Sequence, residues 1–156
     1  MKKMNIISSS IIKAILIVVA IVMAIIMIST PINIYGQSPK TQMQGEIAYI
    51  TGGVGEDESS AMRGDAKNWP LMVDFSQNLE KRDVWISQVD LRIQDAKGTR
   101  IFAAMTDGPL LLVRLPSGNY VLVATYEGVT KTQKIQITDN KLLRVSLNWG
   151  PPKSSV

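Results

Sequence analysis

The feature that most constrains the fold is a series of short apolar segments between positions 71 and 149, at a spacing of about ten residues. Turn-forming residues separate them, among them Asp95-Ala-Lys-Gly98 and Pro116-Ser-Gly118. Within the segments apolar and polar side chains alternate, as at Val89, Leu91 and Ile93, which is typical of half-buried strands. The spacing therefore predicts an all-β protein, a seven-stranded β-sandwich. The seven predicted strands are 71–76, 84–95, 99–106, 110–115, 119–126, 129–138 and 142–149.

Two of these segments support more specific predictions. The segment "NYVLVATY" (119–126) is apolar on both faces, so we expect a central strand that is covered on both sides. In "LMVDFS" (71–76), Asp74 has the opposite parity from Leu71, Val73 and Phe75, and we expect it on the solvent face. A further short strand, "EIAYIT" (46–51), precedes the series.

Three motifs follow one another in the second half of the chain. They are "VDLRIQDAKG" (89–98), "TDGPLLLVRLPSGNYVLVATYEG" (106–128) and "VTKTQKIQI" (129–137). Their order resembles the carboxypeptidase regulatory-like domain, a transthyretin-like seven-stranded sandwich, over residues 71–149. The resemblance implies an extracytoplasmic setting and no activity, so no catalytic residue is carried over. The stretch "YITGGVGEDESSAM" (49–62) is also similar to small exported bacterial proteins of unknown role that carry this domain.

The stretch "TGGVGEDESSAMRGDAK" (51–67) predicts a glycine turn followed by a helix over residues 56–68. Three acidic residues, Glu56 to Glu58, fall in the first turn, where the helix dipole favours negative charge. Met62, Ala66 and Trp69 follow the i, i+4, i+7 spacing and predict a narrow apolar stripe. Pro70 then ends the helix. This helix would precede the seven-stranded core.

The same stretch raises three functional alternatives. A phosphate-binding loop needs a lysine after its glycines, whereas carboxylates follow Gly55 here. A calcium site needs converging oxygens, but Glu56, Asp57 and Glu58 would fan around a helix unless distant residues completed the site. An adhesion signal at Arg63-Gly64-Asp65 needs an exposed extended loop, and the tripeptide falls within the predicted helix.

The composition restricts the chemistry further. The chain has no Cys and no His, which removes thiolate nucleophiles, zinc fingers and Ser-His-Asp triads. We therefore predict no catalytic, cofactor-binding or metal-binding residue, and no cofactor. Three of the 17 basic residues lie in the N-terminal segment, which leaves 14 against 13 acidic residues downstream. Without a basic stripe interleaved with aromatics, nucleic acid is not an expected partner.

The N-terminal segment, residues 1–36, reads as a signal peptide or a signal anchor. Lys2, Lys3 and Lys13 precede or interrupt an apolar stretch that runs to Ile28. A cut before Gln37 would release the protein, whereas an uncleaved segment would anchor it in the inner membrane. Both alternatives place residues 37–156 outside the cytoplasm, in the periplasm or beyond. Residues 37–45 have linker composition, residues 46–149 form the predicted domain, and residues 150–156 a flexible tail.

These observations favour a non-enzymatic envelope protein, a binding or structural module for another envelope protein. A sheet face, an edge strand or the helix would form the contact. The alternative is a polysaccharide- or peptidoglycan-binding module with an aromatic face built from Trp69, Trp85 and Trp149, although tryptophans at strand and helix ends also pack in cores. An enzyme would have to use paired carboxylates alone, and no convincing pair is present.

Overall fold

The computed structural model describes residues 38–80 and 82–151, together with the isolated helical positions 11, 13 and 16–18. The chain divides into two compact units, Met1–Ile34 and Tyr35–Val156. The predicted cut before Gln37, and most of the predicted signal segment, lie outside the described residues, as does the tail beyond residue 151. Among the described positions, no helix combines the length and the apolar character needed to cross a membrane.

Strands dominate the described part of the second unit, which confirms the predicted all-β sandwich with a short helix near its start. The single α-helix of this part, α1, spans Glu56–Asp65, and a 3₁₀-helix continues it over Ala66–Asn68. The strands are β1 (Gln42–Gln44), β2 (Ile47–Gly52), β3 (Leu71–Leu79), β4 (Arg82–Trp85), β5 (Asp90–Gln94), β6 (Arg100–Met105), β7 (Leu110–Val113), β8 (Gly118–Tyr126), β9 (Val129–Ile137) and β10 (Leu143–Trp149).

Two sheets face each other. The larger has the order β1-β2-β7-β3-β10, with β4 beside β3, and the smaller has the order β6-β5-β8-β9. Strand β3 organises the larger sheet because it pairs with β7 over residues 71–74 and with β4 over residues 76–79. On its other side β10 runs parallel to it, from Leu143 opposite Leu71 to Trp149 opposite Gln77.

The main core lies between the two sheets and follows from the period-two alternation of the strands. Trp149 is 2% exposed, and its ring packs near Phe75 and Tyr126 at centroid distances of 6.4 and 6.0 Å. Its indole Nε1–H donates to the carbonyl of Val129 at 2.9 Å. The largest aromatic side chain therefore fills the core without an unpaired polar atom.

A second, smaller core lies on the outer face of the larger sheet, beneath α1. Met62, Ala66 and Trp69 are all buried there, which confirms the predicted apolar stripe. They pack against four side chains of the sheet: Ile50, Met72, Leu110 and Leu112. The helix thus covers a sheet face of its own domain.

The position of α1 decides which strand is buried on both faces. All four residues of β7 are buried, since the helix covers one face and the smaller sheet the other. The prediction for β8 was wrong: β8 is central, but its burial alternates, and Val121 and Val123 are only half-buried on the outer face. Asp74 lies half-buried in β3, where its Oδ1 accepts a hydrogen bond from the Ser146 hydroxyl at 3.0 Å.

The predicted count of seven strands was also wrong. The segment 84–95 is not one strand, because β4 belongs to the larger sheet and β5 to the smaller. Between them the chain crosses the core, with Ile86 and Val89 buried and Gln88 at φ 59°. Two hydrogen bonds fix this crossing: Gln88 N–H donates to the Thr106 carbonyl at 2.8 Å, and Thr106 N–H donates to the Val89 carbonyl at 3.0 Å.

The N-terminal boundary of the sandwich also differs from the prediction. Strand β2 is an integral strand of the larger sheet, paired with β7, and does not precede the sandwich. The segment 37–45 is not all linker, because Gln42–Gln44 forms β1 and pairs with β2. Gly45, at φ 59°, makes the tight turn between the two strands, and this turn lets the polar segment fold back on the sheet edge.

Candidate functional site

A groove beside the N-terminal half of α1 is the best candidate for a binding site. Its volume is about 480 Å³, and we call it the Trp85 groove. Val54 and Trp85, which are 63% and 60% exposed, are among its lining residues. The remaining lining residues are Gly53, Gly55, Glu56, Ser59, Arg63, Ile86, Ser87 and Pro109.

One wall of the Trp85 groove is the glycine loop before α1. Gly53 has φ 87°, and a Cβ atom there would lie 2.8 Å from the Leu110 side chain. The Gly53 N–H donates to Oε1 of Glu58 at 2.7 Å, so a side chain of the helix fixes the loop that precedes it. Val54, which follows this hydrogen-bonded position, is largely exposed.

The end of β4 contributes a second part of the lining. The Arg63 guanidinium lies over the Trp85 ring, 5.1 Å from its centroid. Such a cation–π contact restrains both side chains while leaving much of the indole open to solvent. The sequence pattern did not point to this pair, because the two residues are 22 positions apart and only the packing of α1 brings them together.

The residues in the acidic first turn of α1 form hydrogen bonds within the helix and with the loop that precedes it. Glu58 is engaged by the glycine loop, and the Ser59 hydroxyl donates to the Glu56 carbonyl at 3.1 Å. Among the residues that the structure describes, no group of three carboxylates, or of other metal-binding side chains, converges on one point. Gly55, at the N-cap position, supplies no side-chain cap, and the Glu58 carboxylate instead binds the loop that precedes the helix.

The tripeptide Arg63–Asp65 lies in the last turn of α1, as predicted. Asp65 accepts hydrogen bonds from the Asn68 side chain at 2.8 Å and from the indole of Trp69 at 2.9 Å. These two bonds hold the pKa of the Asp65 carboxyl below its usual value, and the nearby charges of Arg114 and Lys67 lower it further against the opposing effect of burial. Asp65 therefore stabilises the end of the helix.

The three tryptophans do not form a common aromatic face. Trp69 and Trp149 are 6% and 2% exposed and belong to the two different cores. Trp85 is the only one with an accessible ring. Any stacking of a sugar ring would therefore depend on Trp85 alone.

The Leu-Pro-x-Gly-x-Tyr motif has a structural role in this chain. The Tyr120 hydroxyl donates to the Pro116 carbonyl at 2.9 Å, and its ring lies against Gly118. Burial raises the pKa of the Tyr120 hydroxyl, and Asp95 raises it further. The motif locks the turn between β7 and β8 and contributes no side chain to the Trp85 groove.

Comparisons with known proteins give distant likenesses only. No protein-family model matches the chain, so its resemblance to the carboxypeptidase regulatory-like domain stays a prediction. No curated protein matches it significantly. A minor pilin of Streptococcus agalactiae aligns over 56% of this chain and 48% of its own, with 18% identity and a TM-score of 0.45. The major pilin subunit of Bacillus cereus aligns over 49% of this chain and 29% of its own, with 10% identity and a TM-score of 0.36. The alignments span less than half of either pilin, and at these scores they add no argument about function.

Proposed function

We propose that this chain is a non-enzymatic binding module of the bacterial envelope that docks another envelope protein through the Trp85 groove. The observation that carries the proposal is that two exposed apolar side chains, Val54 and Trp85, line one groove. Exposed apolar patches that polar residues surround are typical of interaction sites.

The composition of the groove favours a protein partner. Tryptophan and arginine are the residue types most enriched among interface hot spots, and Arg63 and Trp85 already stack on each other in the free protein. Since the pair is ordered in advance, a partner would not have to immobilise two long side chains when it binds. Ile86, which is buried, and Pro109 give the groove an apolar floor that suits an inserted apolar side chain.

The same groove offers little for hydrolysis. Glu56 is the one carboxylate among its described lining residues, whereas carboxylate-only glycoside hydrolysis needs two acids on opposite sides of the bond. This supports a binding role. Export by residues 1–36, as a cleaved signal or as an anchor, is part of the proposal and rests on the sequence.

Site-directed photo-crosslinking in the native envelope tests the proposal. A photoreactive residue at position 54 should capture one specific protein, and Trp85→Ala in the same chain should remove that product. Thr132, exposed in β9 on the smaller sheet, is the matched control position and should not capture it. Capture of cell-wall polymer in place of protein would favour the polysaccharide alternative, and identical products from positions 54 and 132 would contradict a specific site.

A further inference from the structure

A second groove lies at the other end of α1, where the 3₁₀-helix meets the segment after β7 and the turn between β9 and β10. Its volume is about 420 Å³. Three basic side chains line it: Lys67, Arg114 and Lys141. We call it the basic groove. It shares no lining residue with the Trp85 groove.

Arg114 is held in place before any ligand arrives. Its guanidinium stacks over the Trp69 ring, 4.8 Å from the centroid, and its Nη2 donates to the Asn68 carbonyl at 3.2 Å. Its backbone N–H donates to the Ala48 carbonyl at 2.9 Å, which ties the base of the side chain to β2. A guanidinium has five N–H donors, so this arrangement leaves most of them free for a ligand.

The facing wall is the turn that follows β9. The Lys141 N–H donates to the Thr138 carbonyl at 3.3 Å, and Asn140 has φ 56°, so the turn is tight. Asp139 also lines the groove, and its carboxylate accepts a hydrogen bond from the Ser117 hydroxyl. The turn therefore adds Lys141 to the lining, together with one carboxylate, Asp139, which is hydrogen-bonded to Ser117 within the same groove.

The three cations have no close acidic partner in the described part of the chain. Its one ion pair is between Arg92 and Asp90, and neither residue lines this groove. Asp65 is near enough to Arg114 and Lys67 to feel their charge, but its oxygens accept hydrogen bonds from Asn68 and Trp69. Among the described residues no carboxylate lies within 4 Å of the three cations, and Asp139 is the one acid in the lining, so the basic side chains outnumber the acidic ones by three to one.

We infer that the basic groove binds the oxyanion group, a phosphate or a carboxylate, of a small anionic ligand. A stacked arginine presents its donors in a rigid fork that matches the geometry of a phosphate or a carboxylate. Lys67 and Lys141 add positive charge on flexible side chains, which do not restrict the geometry of the ligand. The volume is in the range of small-molecule sites and accommodates a phosphate or a single acidic sugar. This site is independent of the Trp85 groove.

Titration calorimetry on the full-length protein in a neutral detergent tests the inference, with inorganic phosphate and glucuronate as separate probes. At least one probe should bind at millimolar concentration or below, and Arg114→Gln and Lys141→Gln should each weaken that binding about fivefold or more. Lys134→Gln is the matched control, because Lys134 is an exposed lysine of β9 outside the groove. Thermal melts establish that each variant is folded, and Lys141, in a surface turn, keeps the test valid if Arg114→Gln unfolds.

The two probes distinguish the sources of the oxyanion. Binding of phosphate alone assigns a phosphate ligand, and binding of glucuronate alone assigns a sugar acid. If Lys134→Gln weakens binding as much as Lys141→Gln does, the binding reflects the general surface charge of the protein and not the groove, and the inference is overturned. Absence of binding by both probes would overturn it as well.

Discussion

The Glu58 carboxylate accepts a hydrogen bond from the backbone N–H of Gly53, at 2.7 Å. This contact joins the first turn of α1 to the end of β2, and it explains why an acid stands at the third helical position after a run of glycines. A Cβ atom on Gly52 would overlap the same carboxylate and Pro39. The glycines and the acid therefore form one structural unit, the wall from which Val54 protrudes.

Removal of the Glu58 carboxylate should destabilise the glycine loop before α1. We expect Glu58→Ala to lower the free energy of unfolding by about 1–2 kcal/mol, because it leaves the Gly53 N–H, part-buried, without its charged acceptor. Glu56→Ala is the matched control: it removes an exposed acid from the same helical turn and should cost about 0.5 kcal/mol through the helix dipole alone. Urea denaturation measures both, and equal losses would show that the hydrogen bond is not the stabilising contact.

Two glycines of this region should respond to alanine with opposite signs. Gly53→Ala should destabilise by about 2–4 kcal/mol, since φ is 87° and the added methyl would press on Leu110. Gly64 lies within α1 with open space where its Cβ would be, so Gly64→Ala should stabilise by about 0.5–1 kcal/mol. Thermal unfolding of the two variants beside the wild type provides the test, and a destabilised Gly64→Ala would contradict the helix packing described above.

The sequence was sufficient to predict elements whose own pattern determines them. The helix over 56–68 follows from its acidic start, its Met62–Ala66–Trp69 stripe and Pro70, all of which act locally. Alternation in 129–138 likewise identified β9, where Ile135 and Ile137 are buried and their neighbours exposed. In these segments the period of apolar residues matches the one face that the element buries.

The sequence failed where burial depends on what packs from elsewhere. The segments of β7 and β8 are both apolar, and only the docking of α1 on the larger sheet makes β7, not β8, the strand covered on both faces. The division of residues 84–95 between two sheets depends on Thr106, which is distant in sequence and forms backbone hydrogen bonds with Gln88 and Val89. The Trp85 groove was missed for the same reason, since Arg63 reaches Trp85 only in the folded domain.

Replacement of the exposed Trp85 and of the buried Trp149 should differ sharply in its effect on stability. Trp85→Ala should change the free energy of unfolding by less than about 1 kcal/mol, because the indole is 60% exposed and loses little beyond its contact with Arg63. Trp149→Ala should cost about 3–5 kcal/mol, since it empties part of the main core and leaves the Val129 carbonyl without its donor. Loss of ligand binding in Trp149→Ala would thus reflect unfolding, whereas loss in Trp85→Ala would report on the groove. Urea denaturation of both variants checks this, and a large loss in Trp85→Ala would place that side chain in the core.

Asp65 should make the end of α1 sensitive to acid. Its folded-state pKa is lowered by the hydrogen bonds from Asn68 and Trp69, so the stabilisation is fully present above the ordinary aspartate value of about 4 and is lost as the pH falls through the lowered pKa. We expect Asn68→Ala to raise the pKa of the Asp65 carboxyl toward its ordinary value. Carboxyl-detected NMR titration measures this directly. Asn78→Ala removes a similar amide that bonds to Asp83 instead, and an equal rise in that variant would contradict the assigned cause.

The Gln44 side chain closes the outer edge of the smaller sheet. Its amide donates to the Ala103 carbonyl and accepts from the Ala103 N–H, both at 2.7 Å, and so takes the place that a neighbouring strand would take beside β6. We expect Gln44→Ala to speed hydrogen exchange of the Ala103 amide about tenfold, and to promote concentration-dependent association, because the edge is then free to pair with another chain.

Gln42→Ala is the matched control for this edge. It removes a glutamine from the same strand whose Oε1 accepts a hydrogen bond from the Tyr49 hydroxyl, at 2.8 Å. It should leave both the Ala103 exchange rate and the association state unchanged. If the two variants expose Ala103 equally, strand β1 as a whole protects the edge, and the amide of Gln44 has no separate role. If only Gln44→Ala does so, a single side chain links the two sheets and keeps β6 from pairing with another molecule.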